Sequence, residues 1–233
     1  MTRTALITGA SRGIGRATAL TFAASANPFD VIGVVARESE DFRATVADIR
    51  ATFGGELVVY SADLSDRNAV LDLARAAYQD LGEVSVLVNN AGYTNPVAIH
   101  QIEFADFERT MAVNLYAPFT LIQELLRRGN SFEAIVNLAS TAGIKGRSGW
   151  LTYSASKAAV INMSDVLREE LSIYGTRVIC ISPGRTATDL RVRLAPGEDP
   201  ATIMQPEHVA TVIDVMLQPV GEFIDSENLV VRQ

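Results

Sequence analysis

Tyr153 and Lys157 are four residues apart in a segment with a helical pattern, so both side chains share one helix face. A free tyrosine titrates near pH ~10 and is a poor base at neutral pH. A nearby ammonium group stabilises the phenolate and lowers the pKa, which would make Tyr153 a usable proton donor or acceptor. The same spacing is also typical of an ordinary exposed helix face, so the interpretation depends on the rest of the chain.

Ser140 follows an apolar run at 135–138, where its hydroxyl could bond a substrate oxygen and hold it near the tyrosine. A serine in this position is also typical of a helix or turn cap. His100 and His208 are far apart and have no partner cysteine or histidine, so we expect no metal centre.

Three glycines follow the first apolar run, in the spacing G-x-x-x-G-x-G rather than the usual G-x-G-x-x-G. Such a loop allows a tight turn and a close backbone approach to a pyrophosphate, which the N-terminus of the next helix would also attract. A tight turn without a ligand is the alternative. The expected cofactor-binding residues here are Gly9, Ser11, Arg12, Gly13, Ile14 and Gly15.

Arg12 and Arg37 bear on which dinucleotide binds. Sites that prefer NAD place an acidic residue after the second strand, whereas an arginine there accommodates a 2′-phosphate. This chain has Arg37 at that place, although the adjacent Glu38 could serve either cofactor and exposed arginines are common. We therefore expect NADP(H) in preference to NAD(H).

Polar residues follow two further strand-like runs. Asp63 and Leu64 come after the third, where a carboxylate can accept a hydrogen bond from an adenine amino group. Asn89, Ala91 and Gly92 come at the end of the fourth. Each could be a simple turn, but the carboxyl ends of parallel strands form the ligand-binding edge of such a sheet.

Short β-branched runs alternate with longer helical patterns along the chain. The predicted strands are 5–8, 31–35, 57–60, 86–88, 135–138, 178–181 and 228–231, and the predicted helices are 14–24, 41–52, 67–80, 104–128, 154–174 and 206–217. Several strand runs are apolar at successive positions, as expected when helices cover both faces of a parallel sheet. We expect an α/β, doubly wound fold in one domain (1–233), with 185–205 forming a lid over the active site.

The composition is that of an ordinary globular protein of 233 residues with a net charge of −7. An acidic chain repels nucleic acid, although a local basic pocket is still possible. The single cysteine, Cys180, lies in an apolar run and is expected to be buried. With no signal-peptide layout and no apolar stretch long enough to span a bilayer, we expect a cytoplasmic protein that does not associate with membranes.

Together these motifs resemble the short-chain dehydrogenase/reductase family over nearly the whole chain. The matching pieces are Thr8-Gly9-x-x-x-Gly13-x-Gly15, Asp63, Asn89-Asn90-Ala91-Gly92, Asn114, Ser140, Tyr153-x-x-x-Lys157 and Pro183-Gly184. The resemblance implies a Rossmann-like three-layer sandwich with a seven-stranded parallel sheet. It also implies an enzyme that transfers a hydride between NAD(P)(H) and a carbonyl or secondary alcohol.

The resemblance also assigns roles to individual residues. Tyr153 becomes the general acid or base, Ser140 orients the carbonyl, Lys157 binds the nicotinamide ribose, and Asn114 holds a water that relays protons from Lys157. Asn89 is placed under the adenosine ribose. The residues implied to line the nicotinamide are Pro183, Gly184, Thr186 and Thr188.

The substrate is less well defined by the sequence. Besides Ser140, the candidate substrate residues are Arg147, Trp150 and Arg185, and the same loops also offer Tyr93, Lys145, Arg191 and Arg193. The cations among them could bind a phosphate or carboxylate, or could equally be solvated lid residues. The segment 182–188 resembles reductase domains of bacterial ribitol-5-phosphate pathways, which implies a phosphorylated keto-sugar. The alternatives are a 3-oxoacyl-acyl-carrier-protein reductase, weakened because the Gly-Gly of many such enzymes is absent near the carboxyl end, and a generic carbonyl reductase. A more distant alternative is a dinucleotide sensor without turnover.

The family usually forms homodimers or homotetramers through two long helices. In this chain the segments 104–128 and 154–174 are the candidates, although apolar residues in them such as Leu121 and Leu125 could simply be core.

Overall fold

A computed structural model of the chain describes residues 2–233, and in them a single sheet of seven parallel strands is found. The strands are β1 Thr4–Thr8, β2 Val31–Ala36, β3 Glu56–Ser61, β4 Val86–Asn89, β5 Ala134–Leu138, β6 Arg177–Pro183 and β7 Leu229–Val231. They lie side by side in the order β3-β2-β1-β4-β5-β6-β7. The seven-stranded, doubly wound parallel sheet expected from the sequence is therefore confirmed.

The strand order reverses at the centre of the sheet. The chain starts at β1, adds β2 and β3 on one side, and then crosses to add β4 to β7 on the other. The loops after β1 and β4 consequently diverge to opposite faces and leave a crevice between them at the carboxyl ends of the strands. This crevice is where a ligand is expected in such a fold.

Helices cover both faces of the sheet. They are α1 Gly13–Ala23, α2 Glu40–Thr52, α3 Arg67–Leu81, α4 Phe104–Met111, α5 Ala117–Arg127, α6 Thr141–Ile144, α7 Leu151–Ser172, α8 Asp189–Leu194 and α9 Pro206–Met216. One apolar core joins the sheet to α1, α2 and α9, and a second joins the other face to α3, α5 and α7. Successive β1 residues alternate between the cores, with Ala5 and Ile7 in the first and Leu6 in the second, which explains the unbroken apolar strand pattern.

The long helix expected at 104–128 is interrupted by a π-helical turn at Ala112–Tyr116, between α4 and α5. Such turns occur mostly as single insertions in α-helices, often at functional sites. Asn114 lies in this turn.

Other sequence expectations have direct structural counterparts. Cys180 is buried on β6, and burial raises the pKa of its thiol to about 11. Across residues 2–233, no helix combines the length and the apolar character that crossing a bilayer requires. The segment 185–205 contains α8 and a short 3-10 turn at Pro200–Thr202.

The short helix α6 packs directly on the backbone of α7. A Cβ atom added at Gly143 would lie 2.6 Å from the carbonyl carbon of Lys157 and 2.8 Å from the nitrogen of Ala158. Both neighbours are backbone atoms in a helix and cannot move aside as a side-chain end could. Glycine at position 143 therefore sets the distance between α6 and the part of α7 that carries Lys157.

We predict that Gly143→Ala lowers the free energy of unfolding by about 1–3 kcal/mol, because the added methyl group forces α6 away from α7. Denaturant unfolding measures the change. Gly146→Ala is the matched control, since a Cβ atom there meets nothing within 4 Å. Equal stability of the two variants would show that the α6–α7 contact does not require glycine.

Candidate active site

A cleft of about 510 Å³ opens at the carboxyl ends of β1, β4, β5 and β6. Most of the residues singled out in the sequence line it. These are Gly9, Ser11, Arg12, Gly13, Ile14, Arg37, Asp63, Leu64, Ala91, Gly92, Ser140, Tyr153, Lys157, Pro183, Gly184, Thr186 and Thr188. Six predicted residues are not among the lining residues: Gly15, Asn89, Asn114, Arg147, Trp150 and Arg185.

The N-terminus of α1 faces the cleft without a side-chain cap. Its N-cap residue, Arg12, makes no side-chain cap hydrogen bond, whereas α2 and α3 begin with caps from Ser39 and Asp66. Gly13 and Ile14 of the first turn line the cleft. Free N–H groups and the helix dipole at this point fit the pyrophosphate of a dinucleotide.

Gly15 supports this loop from behind rather than lining the cleft. A Cβ atom at Gly15 would overlap the carbonyl oxygen of Gly9, so the helix can pack this close to the loop only with glycine there. Thr8 fixes the opposite side, because its Oγ1 accepts the N–H groups of Asn90 and Ala91 at 3.1 Å each. The loops after β1 and β4 are thereby held together at the crevice.

The structure corrects the placement of Asn89. Its side chain is buried and donates from Nδ2 to Oδ1 of Asn137 at 2.9 Å, and Asn137 in turn donates to Ser164 at 3.0 Å. Asn90 lines the cleft instead. The reason is the pleat: Asn89 is the last residue of β4 and points into the sheet face, while the next residue turns the other way.

Tyr153 and Lys157 lie on α7 and are 6% and 4% exposed. Lys157 Nζ is 5.9 Å from the centroid of the Tyr153 ring and donates a hydrogen bond to the carbonyl oxygen of Leu138 at 2.6 Å. The carbonyl at the end of β5 thus holds the ammonium group beneath the tyrosine. The pair is buried, unlike that of an ordinary exposed helix face.

Burial shifts the pKa of both groups. It lowers the pKa of Lys157 to about 8, because the charged ammonium loses its hydration. Burial also raises the pKa of Tyr153, while the neighbouring Ser140 hydroxyl and the positive charge of Arg191 lower it. Arg191 is therefore an electrostatic neighbour of the tyrosine that the Tyr-x-x-x-Lys spacing does not reveal.

Ser140 both caps a helix and lines the cleft. It is the N-cap of α6, where its Oγ accepts the N–H of Ala142 at 3.1 Å, and it also lines the cleft. The cap fixes the hydroxyl at the end of β5, on the same side of the cleft as Tyr153.

Asn114 is buried and fully engaged by protein groups. Its Oδ1 accepts the N–H of Tyr93 at 2.8 Å, and its Nδ2 donates to the Tyr93 carbonyl at 3.0 Å and to Ser156 Oγ at 2.9 Å. In this arrangement the side chain connects the π turn to the loop after β4 and to α7. Its expected part in a water relay stays a prediction.

Arg37 and Asp63, which the sequence assigns to the cofactor, line the part of the cleft at the ends of β2 and β3. Hydrogen bonding from the Ser65 backbone N–H is the main cause that holds the pKa of Asp63 below its usual value, and the charges of Arg37 and Arg109 act in the same direction. Within residues 2–233, no carboxylate lies at salt-bridge distance from Arg37. The adjacent Glu38 points instead to Arg43, at 3.3 Å.

Arg12 is paired with carboxylates on both sides of the cleft. Its Nη1 is 2.7 Å from Asp189 at the start of α8 and 3.7 Å from Asp41 on α2. The first pair connects the glycine loop to α8, and the second connects it to α2.

The expected substrate residues are arranged differently from the sequence prediction. Arg185 is exposed and lies 3.4 Å from Glu198, outside the cleft. Trp150 packs against the cluster around Tyr153, with the guanidinium groups of Arg147 and Arg191 each 5.6 Å from its ring centroid. Of the other residues considered from the sequence, Tyr93, Arg191 and Arg193 do line the cleft, and Arg109 lines it as well.

Arg109 was not predicted from the sequence. Its guanidinium lies 4.6 Å from the centroid of the Tyr93 ring. Its position follows from helical spacing. Arg109 on α4 lies one turn before Val113 in the π turn, and both residues line the cleft.

Comparisons with known proteins agree with this geometry. The family model described as short chain dehydrogenase matches residues 3–199. A 3-oxoacyl-[acyl-carrier-protein] reductase from Synechocystis sp. is 33% identical, over 96% of this chain and 92% of that protein.

Among solved structures, a short chain dehydrogenase from Burkholderia cenocepacia in complex with NADP superposes with a TM-score of 0.87 at 28% identity, covering 99% of this chain and 96% of that one. NAD+-bound xylitol dehydrogenase superposes with a TM-score of 0.85 at 25% identity, covering 99% of this chain and 97% of that one. The chain therefore belongs to the short-chain dehydrogenase family of oxidoreductases.

Proposed function

We propose that this protein is an NADP(H)-preferring reductase that transfers a hydride between the nicotinamide and a carbonyl or secondary alcohol carbon. The observation that carries the proposal is the shared cleft. An uncapped helix N-terminus and a glycine loop line one part of it, and Ser140, Tyr153 and Lys157 line another. The residues that line one cleft would therefore provide both a cofactor site and a proton-transfer site.

The chain's own residues perform the proton chemistry. The cofactor, when bound, supplies or accepts the hydride. Tyr153 gives a proton to the carbonyl oxygen in reduction and takes it from the alcohol in oxidation, while Ser140 donates a hydrogen bond that orients that oxygen. Lys157 would hold the nicotinamide ribose and, as the buried cation beneath the tyrosine, favour its phenolate during turnover.

We predict that Tyr153→Phe lowers kcat by about 100-fold or more, because it removes the proton donor and leaves the cleft shape unchanged. NADPH oxidation against ribulose 5-phosphate, an acetoacetyl thioester and simple aldehydes and ketones measures turnover, and NADPH fluorescence measures binding. Tyr174→Phe, at an exposed tyrosine just beyond the C-terminal end of α7, is the control. Full activity in Tyr153→Phe would contradict the mechanism. Tight NADPH binding by the wild type without turnover of any carbonyl would favour the sensor alternative.

The preference for NADP(H) rests on Arg37. This exposed cation lines the cleft with no carboxylate paired to it among the described residues, and Glu38 is turned toward Arg43. A 2′-phosphate would find an uncompensated guanidinium there, whereas no acidic side chain is directed to ribose hydroxyls. Arg12 is a second candidate cation, but it would first have to leave Asp189 or Asp41.

We predict that Arg37→Asp weakens NADPH binding by about tenfold or more and leaves NADH binding unchanged or tighter, because only NADPH carries the 2′-phosphate. Fluorescence titration of each cofactor provides the dissociation constants. Arg50→Gln removes an exposed arginine in the last turn of α2 that does not line the cleft, and should change neither. Equal weakening of both cofactors by Arg37→Asp would refute the assigned preference.

Three substrate classes fit this chemistry. A phosphorylated keto-sugar is the sequence-based proposal, while a 3-oxoacyl thioester on an acyl carrier protein is favoured by the names of relatives such as the Synechocystis sp. reductase and a Staphylococcus aureus protein at 33% identity. A generic carbonyl reductase is the third alternative. The panel above separates the three classes.

The oligomeric state and the cellular location are also proposals. A homodimer or homotetramer is supported by exposed apolar side chains on α7 and near the start of α5, namely Tyr116, Phe119 and Val166. The residues first considered from the sequence, Leu121 and Leu125, are core instead. A single domain, a lid at 185–205 and a cytoplasmic location stay predictions from the sequence.

A further inference from the structure

The cleft gathers positive charge in a protein that is acidic as a whole. Among the described residues, six basic and two acidic side chains line it, whereas the chain carries a net charge of −7. They are Arg12, Arg37, Arg109, Lys157, Arg191 and Arg193, against Asp63 and Asp189. Such local focusing of one sign of charge attracts anionic ligands.

The proposed cofactor accounts for only part of this charge. Arg12 and Arg37 belong to the glycine loop and the end of β2, where the phosphates of NADP(H) would lie, and Lys157 would meet a ribose. Arg191 and Arg193 are instead carried by α8 in the lid segment. The cofactor phosphates therefore do not account for these two arginines, of which Arg191 is paired with Glu198 and Arg193 is at salt-bridge distance from no carboxylate among residues 2–233.

Arg191 is held in place beside the catalytic tyrosine. It is largely buried, and its Nε and Nη2 both donate to the carboxylate of Glu198, the latter at 2.8 Å. Its guanidinium lies 5.6 Å from the Trp150 ring, and Trp150 packs with Tyr153 and Leu194 in one cluster. Its charge also lowers the pKa of Tyr153, which is consistent with this proximity.

Glu198 accepts hydrogen bonds from Nε and Nη2 of Arg191, and within residues 2–233 no hydrogen bond from Nη1 is found. The Nη1 donors are therefore available to another acceptor. A guanidinium fixed at two of its nitrogens is preorganised and loses little further freedom on binding an anion. Arg193 lines the same cleft from the same helix, and its charge reaches Tyr93 on the opposite loop.

We propose that the carbonyl substrate carries a carboxylate or phosphate group within a few carbon atoms of its reacting carbonyl, and that Arg191, assisted by Arg193, binds this group. The inference rests on the proposed function and narrows its substrate class. It favours a small acidic or phosphorylated ketone over a 3-oxoacyl thioester, because a thioester ketone has no charge beside its carbonyl.

Trp150 provides a readout that does not require turnover. It is the single tryptophan of the chain and is adjacent to Arg191. The protein saturated with NADP+ is titrated with inorganic phosphate, with acetate and with neutral acetone at constant ionic strength, and tryptophan fluorescence is followed. Saturating NADP+ first occupies the cofactor phosphate sites, so that the added anion reports on the remaining cations.

We expect saturable binding of phosphate or acetate, and the stronger of the two identifies the acid group. Arg191→Gln should weaken this binding at least about tenfold, while Arg191→Lys, which keeps the charge, should recover part of it. Arg185→Gln is the matched control, because Arg185 shares Glu198 but lies outside the cleft, and it should change the affinity less than about twofold. Acetone should give no saturable signal.

Turnover supplies the second readout. We compare kcat/KM for two pairs of compounds, ribulose 5-phosphate with ribulose and acetoacetate with its ethyl ester. In at least one pair the anionic compound should have the higher kcat/KM. In Arg191→Gln the ratio for that pair should fall about tenfold. No saturable anion binding, or equal affinities in the wild type and Arg191→Gln, would overturn the proposal while leaving the reductase function intact. Failure of NADP+ to bind, or Tyr153-independent turnover, would instead overturn the proposed function.

Discussion

The burial of one positive charge, the ammonium group of Lys157, organises the active site. A lysine ammonium taken out of water is expensive unless it is hydrogen-bonded, and here the Leu138 carbonyl accepts its hydrogen bond at 2.6 Å. Because residue 143 is a glycine, α6 can pack directly against the backbone of Lys157. Tyr153 lies one helical turn before Lys157 on α7, and Ser140 caps the start of α6. The catalytic geometry is thus a consequence of how the fold accommodates a buried cation.

The sheet supplies the rigid frame for this arrangement. Apolar side chains on both faces fix β1, β4, β5 and β6 side by side, and the reversal of strand order beside β1 opens the crevice. The loops that leave these strands carry the polar groups, so the strand register determines which of them meet. The loop after β4 is then held by hydrogen bonds that its backbone N–H groups donate to the side chains of Thr8 and Asn114. Arg191 and Arg193 complete the cleft from the short helix α8.

Features with a short-range physical signal could be predicted from the sequence. The strands follow from apolar runs, the glycine loop from its spacing, and the Tyr153–Lys157 pair from helical periodicity. Asn89 could not be placed correctly, because its orientation changes with a one-residue shift in where β4 ends. Arg191 and Arg185 both follow β6, and nothing local shows that only Arg191 turns into the cleft; its position depends on Glu198 and Trp150, both several residues or more away in the chain.

The most direct test of this account is the pH dependence of stability for the wild type and Lys157→Met, measured by denaturant unfolding between pH 7 and 9.5. The pKa of Lys157 is lowered to about 8 in the folded protein, against 10.5 for the ordinary group. The cost of burying its charge is therefore fully present below pH 8 and is relieved as the pH rises toward the unfolded value. We expect the unfolding free energy of the wild type to rise relative to Lys157→Met above pH 8, with a slope approaching about 1.4 kcal/mol per pH unit. A difference that stays constant across this range would mean that Lys157 keeps its ordinary pKa, and would contradict the claim that its buried charge governs the site.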